Sequence, residues 1–190
     1  KYQSLMNLGF FKFQPYLKSV LWGGERIAKY KGIVTDQKQI GESWEISGVT
    51  GRESVVCEGA DLGLTIVELI RKYKGALVGA PIYAKYGDTF PILVKFLDAR
   101  EDLSLQVHPN DTIAKNRHNC LGKTEMWYIV DCEEGAELLY GFKKEISREE
   151  FAERIADNTL LEVTNNVPVH KGDVFFIDAG TLHAIGKGIL

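Results

Sequence analysis

The chain has 190 residues, 45% hydrophobic and 26% charged, which is ample for a core and excludes a wholly disordered protein. Its 23 basic and 26 acidic side chains leave a formal charge of −3, without the basic excess or clustered stripe that a nucleic-acid backbone demands. No apolar stretch is long enough to span a bilayer, and the first residues lack a signal-peptide pattern. Cys57, Cys120 and Cys132 form no CxxC pair and read as free thiols in a reducing cytoplasm.

In chain order, Gly23-Gly24 punctuates an aromatic and basic opening segment, Phe11 to Trp22. Gly41 to Ser47 alternates roughly and reads as a strand, as does the β-branched patch Ser54 to Cys57. Ile66, Leu69, Ile70 and Tyr73 recur at helical spacing after Asp61 and Thr65, which stand as candidate caps. From Phe90 strand signals become dense: Phe90 to Leu97, Leu103 to Val107, Met126 to Val130 and Ala136 to Tyr140. Ser147-Arg148-Glu149-Glu150 fits a capping box opening a second helix, with Phe151 and Ile155 on one face. Val174 to Ile177 is wholly apolar and reads as a strand buried on both faces. The pattern is that of one mainly β domain, residues 1–190, a sandwich or barrel with a few short helices. Its ends, Lys1 and the untapered Ile189-Leu190, are those expected of a fragment of a longer protein, broken off in or just before a strand.

Only four histidines occur. On a strand over 103–107, Ser104, Gln106 and then His108 share one face while Leu103, Leu105 and Val107 take the other. Glu125 heads the next apolar strand, and His183 follows a Gly180 turn. Two imidazoles, a carboxylate and an amide oxygen are a competent donor set for a divalent metal. Against this, a histidine beside a strand is more often a hydrogen-bonded, partly buried residue than a ligand. His118 and Cys120 lie in a polar stretch that reads as a surface loop, and His170 precedes a turn and reads as solvent-facing.

Several of these stretches together resemble type I mannose-6-phosphate isomerases. They are Phe90 to Ala99, Leu103 to Asp111, Trp22-Gly23-Gly24, Gly41 to Glu45, Gly122 to Trp127 and Gly180 to Gly186, in the family's order. The short bacterial form is the nearest, since there is no room for the large helical insertion of the longer form. The resemblance implies a cupin-type double-stranded β-helix, or jelly-roll barrel. It also covers Gly172, Asp178-Ala179-Gly180 and His183, which follow the second cupin motif except that Asp178 stands where cupins usually carry Pro and the Asn that often follows the His is missing. The family's zinc ligands fall on Gln106, His108, Glu125 and His183, implying one Zn²⁺ per chain. Lys95, Ser104 and Lys123 match positions lining the substrate or phosphate pocket, while Trp22, Glu42 and Trp44 read equally as residues shaping it and as core and capping residues. The implied reaction is aldose–ketose isomerisation of mannose 6-phosphate and fructose 6-phosphate through a cis-enediolate, with a small phosphosugar as partner. The family's catalytic arginine falls beyond Leu190, so the proton-transfer base is unassigned and the fragment alone is expected to be inactive. Two other readings are a non-catalytic sugar-phosphate-binding cupin and a cupin oxygenase using Fe²⁺. Gln106, standing where such an oxygenase has His, counts against the second.

Overall fold

The structure, a computed structural model, describes residues 8–190. Strands β1 (Phe13–Gln14) and β2 (Tyr16–Gly24) precede helix α1 (Arg26–Lys31) and strands β3 (Ile40–Ser47) and β4 (Val55–Val56). Helices α2 (Ile66–Tyr73), α3 (Gly75–Val78) and α4 (Ala80–Tyr86) lead to β5 (Leu93–Leu97) and α5 (Asp111–His118). Then come β6 (Glu125–Tyr128), β7 (Glu137–Phe142), α6 (Arg148–Ala156), a 3₁₀ turn, β8 (Thr164–Pro168), β9 (Val174–Ile177) and β10 (His183–Ile185).

Helix and strand are therefore mixed, where the sequence pattern suggests a mainly β chain. The unanticipated helices α1, α3, α4 and α5 are four to eight residues long and carry no apolar stripe for periodicity to reveal. In α5 only Ala114 is buried, and Asn110 caps the helix by accepting a hydrogen bond from the Ile113 N–H. The polar stretch around His118 and Cys120, expected as a loop, is thus half helix: His118 ends α5 and both side chains are exposed.

Two compact units divide the chain. The first holds the described residues up to Ser19 together with Glu42–Phe96. In it β1 and β4 pair antiparallel, and Thr65 and Glu68 close a reciprocal capping box at the start of α2, whose Ile66, Leu69 and Ile70 are buried. Asp61 is not a cap; it accepts hydrogen bonds from Lys72 (2.6 Å) and the Tyr73 hydroxyl (2.7 Å).

The second unit holds Val20–Gly41 and Leu97–Leu190. Its larger sheet runs β10-β7-β8 and a second pairs β6 with β9, all antiparallel. Leu138 and Ile185 pair across β7 and β10, and they join Ala99, Ile129, Ala136, Val169 and Ile189 in one buried cluster. Trp127 and Phe175, paired across β6 and β9, pack against that cluster. Strand β9 is not buried on both faces as its apolar run suggests: Val174 and Phe176 are 58% and 59% exposed. Their register partners Tyr128 and Met126 are likewise exposed, so only the opposite face of this ribbon meets the core. Leu103 to Val107 forms no regular strand either. The Leu103 N–H bonds the Ile185 carbonyl while the Gln106 N–H bonds the His183 carbonyl. Three steps along one segment thus match two along the other, a bulge that interrupts the ladder.

Asp98, wholly buried, accepts hydrogen bonds from the Arg26 backbone N–H (2.7 Å) and guanidinium (2.8 Å). Any side chain at Gly24 would meet the Asp98 carboxylate, with a Cβ only 2.2 Å from Oδ2. Removing one partner of such a pair strands the other group's charge and hydrogen-bonding capacity. Because Arg26 is 29% exposed, Asp98→Ala is expected to cost about 3 kcal/mol, the lower end for buried pairs. Urea unfolding of the variant checks this, and a loss below about 1 kcal/mol, typical of a surface pair, would contradict it.

Candidate metal centre

His108, Glu125 and His183 converge within the second unit, each presenting one ligand atom, with all three atoms inside 4.8 Å of one another. Three different elements deliver them. Glu125 opens β6, opposite Ile177 of β9. His183 opens β10, opposite Tyr140 of β7, on the core-facing side that Leu138 and Ile185 also occupy. His108 lies between the Gln106 bridge and α5, and its carbonyl accepts a hydrogen bond from the Gly180 N–H.

Gln106 and His183 exchange both backbone hydrogen bonds, 2.8 and 2.9 Å. Directly opposed residues of such a pair project to one side of the sheet, so the Gln106 side chain leaves on the His183 face. Gly122 lets the chain pass close to the start of α5. A Cβ there would sit 2.5 Å from the Asn110 and Asp111 backbone, and this close passage lets the Lys123 N–H reach the Pro109 carbonyl. Glu125 follows two residues later.

His183 is 3% exposed, and its tautomer follows from its partners. Nδ1 lies 2.8 Å from the Thr181 carbonyl oxygen, which can only accept, so Nδ1 carries the proton. The other nitrogen, Nε2, is buried and makes no hydrogen bond among the described residues. It faces Glu125 Oε2 at 3.3 Å, a separation without hydrogen-bond geometry. A neutral imidazole nitrogen and a carboxylate oxygen are both acceptors, so their face-to-face approach calls for a cation between them. His108 Nε2 accepts from Lys123 Nζ at 3.1 Å, and Lys123 Nζ is 2.9 Å from Glu125 Oε1. The donor set and the orphaned buried nitrogen fit a divalent metal such as zinc.

Burial pushes the Glu125 carboxyl upward, but the contacts around it, the Lys123 hydrogen bond and charge among them, more than offset it, leaving it at about 2. A depressed carboxyl contributes stability fully present above its unfolded value of 4.5 and lost as pH falls towards about 2. Between pH 7 and 5 Glu125 therefore stays ionised, and loss of a bound divalent ion in that range reports imidazole protonation. Metal affinity, measured by chelator competition, is expected to fall as pH drops from 7 to 5, because an imidazole must be neutral to ligate. A content unchanged between pH 7 and 5 would contradict ligation by two histidines.

The other residues singled out from sequence scatter. Lys123 stands in the cluster. Ser104 is exposed and, with Leu139 and Ala184, lines a separate cavity of about 710 Å³; Leu139 and Ala184 pair on the face opposite His183. His170 is exposed, as expected, with a side chain 83% accessible. In the first unit Lys95 is 3.1 Å from Glu42, whose 8%-exposed carboxylate also takes Lys18 (2.9 Å) and the Trp44 indole N–H (2.7 Å). Burial raises the Glu42 carboxyl, and the Lys18, Trp44 and Lys95 contacts bring it below its ordinary value. Trp22 lies in β2, and its carbonyl accepts from the Arg100 and Glu101 N–H groups.

Comparison with known proteins matches residues 10–144 to the family model for phosphomannose isomerase type I, catalytic domain. The chain is 41% identical over 179 residues to mannose-6-phosphate isomerase ManA of Bacillus subtilis strain 168, covering 94% of itself and 55% of that protein. The crystal structure of the mannose 6-phosphate isomerase from Bacillus subtilis superposes with a TM-score of 0.85 at 34% identity, over 95% of this chain and 56% of that one. A mannose 6-phosphate isomerase structure described as holo and zinc bound has a TM-score of 0.70 over 94% of this chain and 66% of its own. At 17% identity that likeness is one of fold. The chain spans about half the length of the curated relatives it matches.

Proposed function

Because the chain belongs to the type I phosphomannose isomerase family, we propose that it carries the metal centre and part of the sugar-phosphate pocket of an enzyme interconverting mannose 6-phosphate and fructose 6-phosphate. The convergence of His108, Glu125 and the unbonded Nε2 of His183 carries this reading. These three would hold one zinc ion, with the Gln106 amide oxygen as a fourth donor. The cupin-type double-stranded β-helix is supported by the two antiparallel sheets of the second unit that share one core. We place the enzyme in the cytoplasm, in keeping with its free cysteines. No helix of the described residues is long and apolar enough to cross a membrane.

Aldose–ketose isomerisation removes a proton from C2 of the open-chain sugar and returns one to C1, so negative charge builds on two neighbouring oxygens of a cis-enediolate. Zinc, when bound, supplies Lewis-acid stabilisation of such charge. The chain's own residues orient the sugar. Lys123, with Nζ beside both His108 and Glu125, presents N–H donors where developing oxyanion charge needs them. Lys95, held by the buried Glu42, is a candidate phosphate contact on the family resemblance. Thr181 keeps the His183 Nδ1 proton in place and leaves Nε2 free to ligate.

His108→Ala, made in the protein at its full natural length, is expected to reduce bound metal from about one ion per chain to none and isomerase activity by about a thousandfold or more. Metal analysis and a coupled assay with mannose 6-phosphate check this. Stoichiometric metal in the variant would remove His108 from the ligand set. Binding of the sugar phosphate without turnover by the parent would favour the non-catalytic reading.

A further inference from the structure

The indole of Trp127 lies against His183, with ring centroids 5.4 Å apart and planes at 74°. Strand alternation puts Trp127 on the same face of β6 as Glu125, so one strand supplies both a carboxylate to His183 Nε2 and an aromatic surface to its ring. The Thr181 carbonyl settles which nitrogen carries the proton, yet one hydrogen bond at Nδ1 leaves the ring free to tilt. The terminal torsion of histidine is broad, and a tilt swings Nε2, across the ring from that bond. His108 restrains one side of the imidazole, its centroid 4.9 Å away at 51°. Trp127 restrains it further, and is itself anchored by its register partner Phe175 and by the buried cluster around Leu138 and Ile129.

On the reading that His108, Glu125 and His183 hold a metal, we propose that Trp127 is a positioning residue of that centre, fixing the plane of His183 so that Nε2 points at the ion. Metal affinity then depends on an aromatic ring at 127, although the indole ligates nothing. Residues that orient a metal's ligands typically govern its affinity by one or two orders of magnitude.

The test compares Trp127→Phe, which keeps a ring, with Trp127→Leu and Trp127→Met, which keep apolar bulk without one. Metal affinity is measured by chelator competition on the full-length protein, together with the visible spectrum of its Co²⁺ form. Leu and Met are expected to weaken metal binding about tenfold or more and to shift the Co²⁺ bands, whereas Phe stays within about threefold of the parent with its bands in place. The two non-aromatic variants guard against one failing to fold. Folded Leu or Met variants with parental affinity and spectrum would overturn the proposal, as would equal losses in all three, which signify packing alone. A parent protein that binds no metal would instead overturn the underlying metal reading.

Discussion

Two backbone hydrogen bonds between Gln106 and His183, 2.8 and 2.9 Å long, are the constraint from which the site follows. They join segments 77 residues apart (183 − 106) and decide which side chains share a face. On its other side His183 pairs with Tyr140, so β10 is held between two neighbours and its first residue is 3% exposed. A histidine so enclosed must have its nitrogens accounted for. Thr181 accounts for Nδ1, and Nε2 is turned on the Glu125 carboxylate.

Glu42, which is buried, and Glu125, which is half-buried, make a useful contrast. Glu42 in the first unit accepts from Lys18, Lys95 and the Trp44 indole, so its compensation comes from the protein's own donors. Glu125 in the second is partly met by Lys123 through Oε1, while Oε2 faces a nitrogen that offers it no proton. Both carboxyls lie below their ordinary range despite burial. The first is met entirely by protein donors. The second pairs acceptor with acceptor, the arrangement a metal ion resolves.

Secondary structure was legible where a single segment carries its own signal. Thr65 and the run Ile66, Leu69, Ile70 specify α2, and Ser147 caps α6 by accepting from the Glu150 N–H. The Glu150 carboxylate does not complete the reciprocal box, because Arg154 and Lys144 take it. Short helices without an apolar stripe stayed hidden, α5 above all, since capping by Asn110 stabilises them locally while burying little. The open face of β9 was illegible for a different reason: an apolar run records what a strand can bury, not whether a neighbour arrives to cover it.

Residue chemistry alone determined the candidate donors, because few side chains ligate metals and only four histidines had to be weighed. The family resemblance added Lys95, Ser104 and Lys123 to them. Tertiary structure decided which of these meet. It brought His108, Glu125 and His183 together, added Lys123, and set Ser104 beside a different cavity. The physical reason lies in the bulge between Leu103 and Gln106. One extra residue in a strand breaks the two-residue alternation on which any reading of faces from sequence depends. Only pairing with a remote segment reveals it.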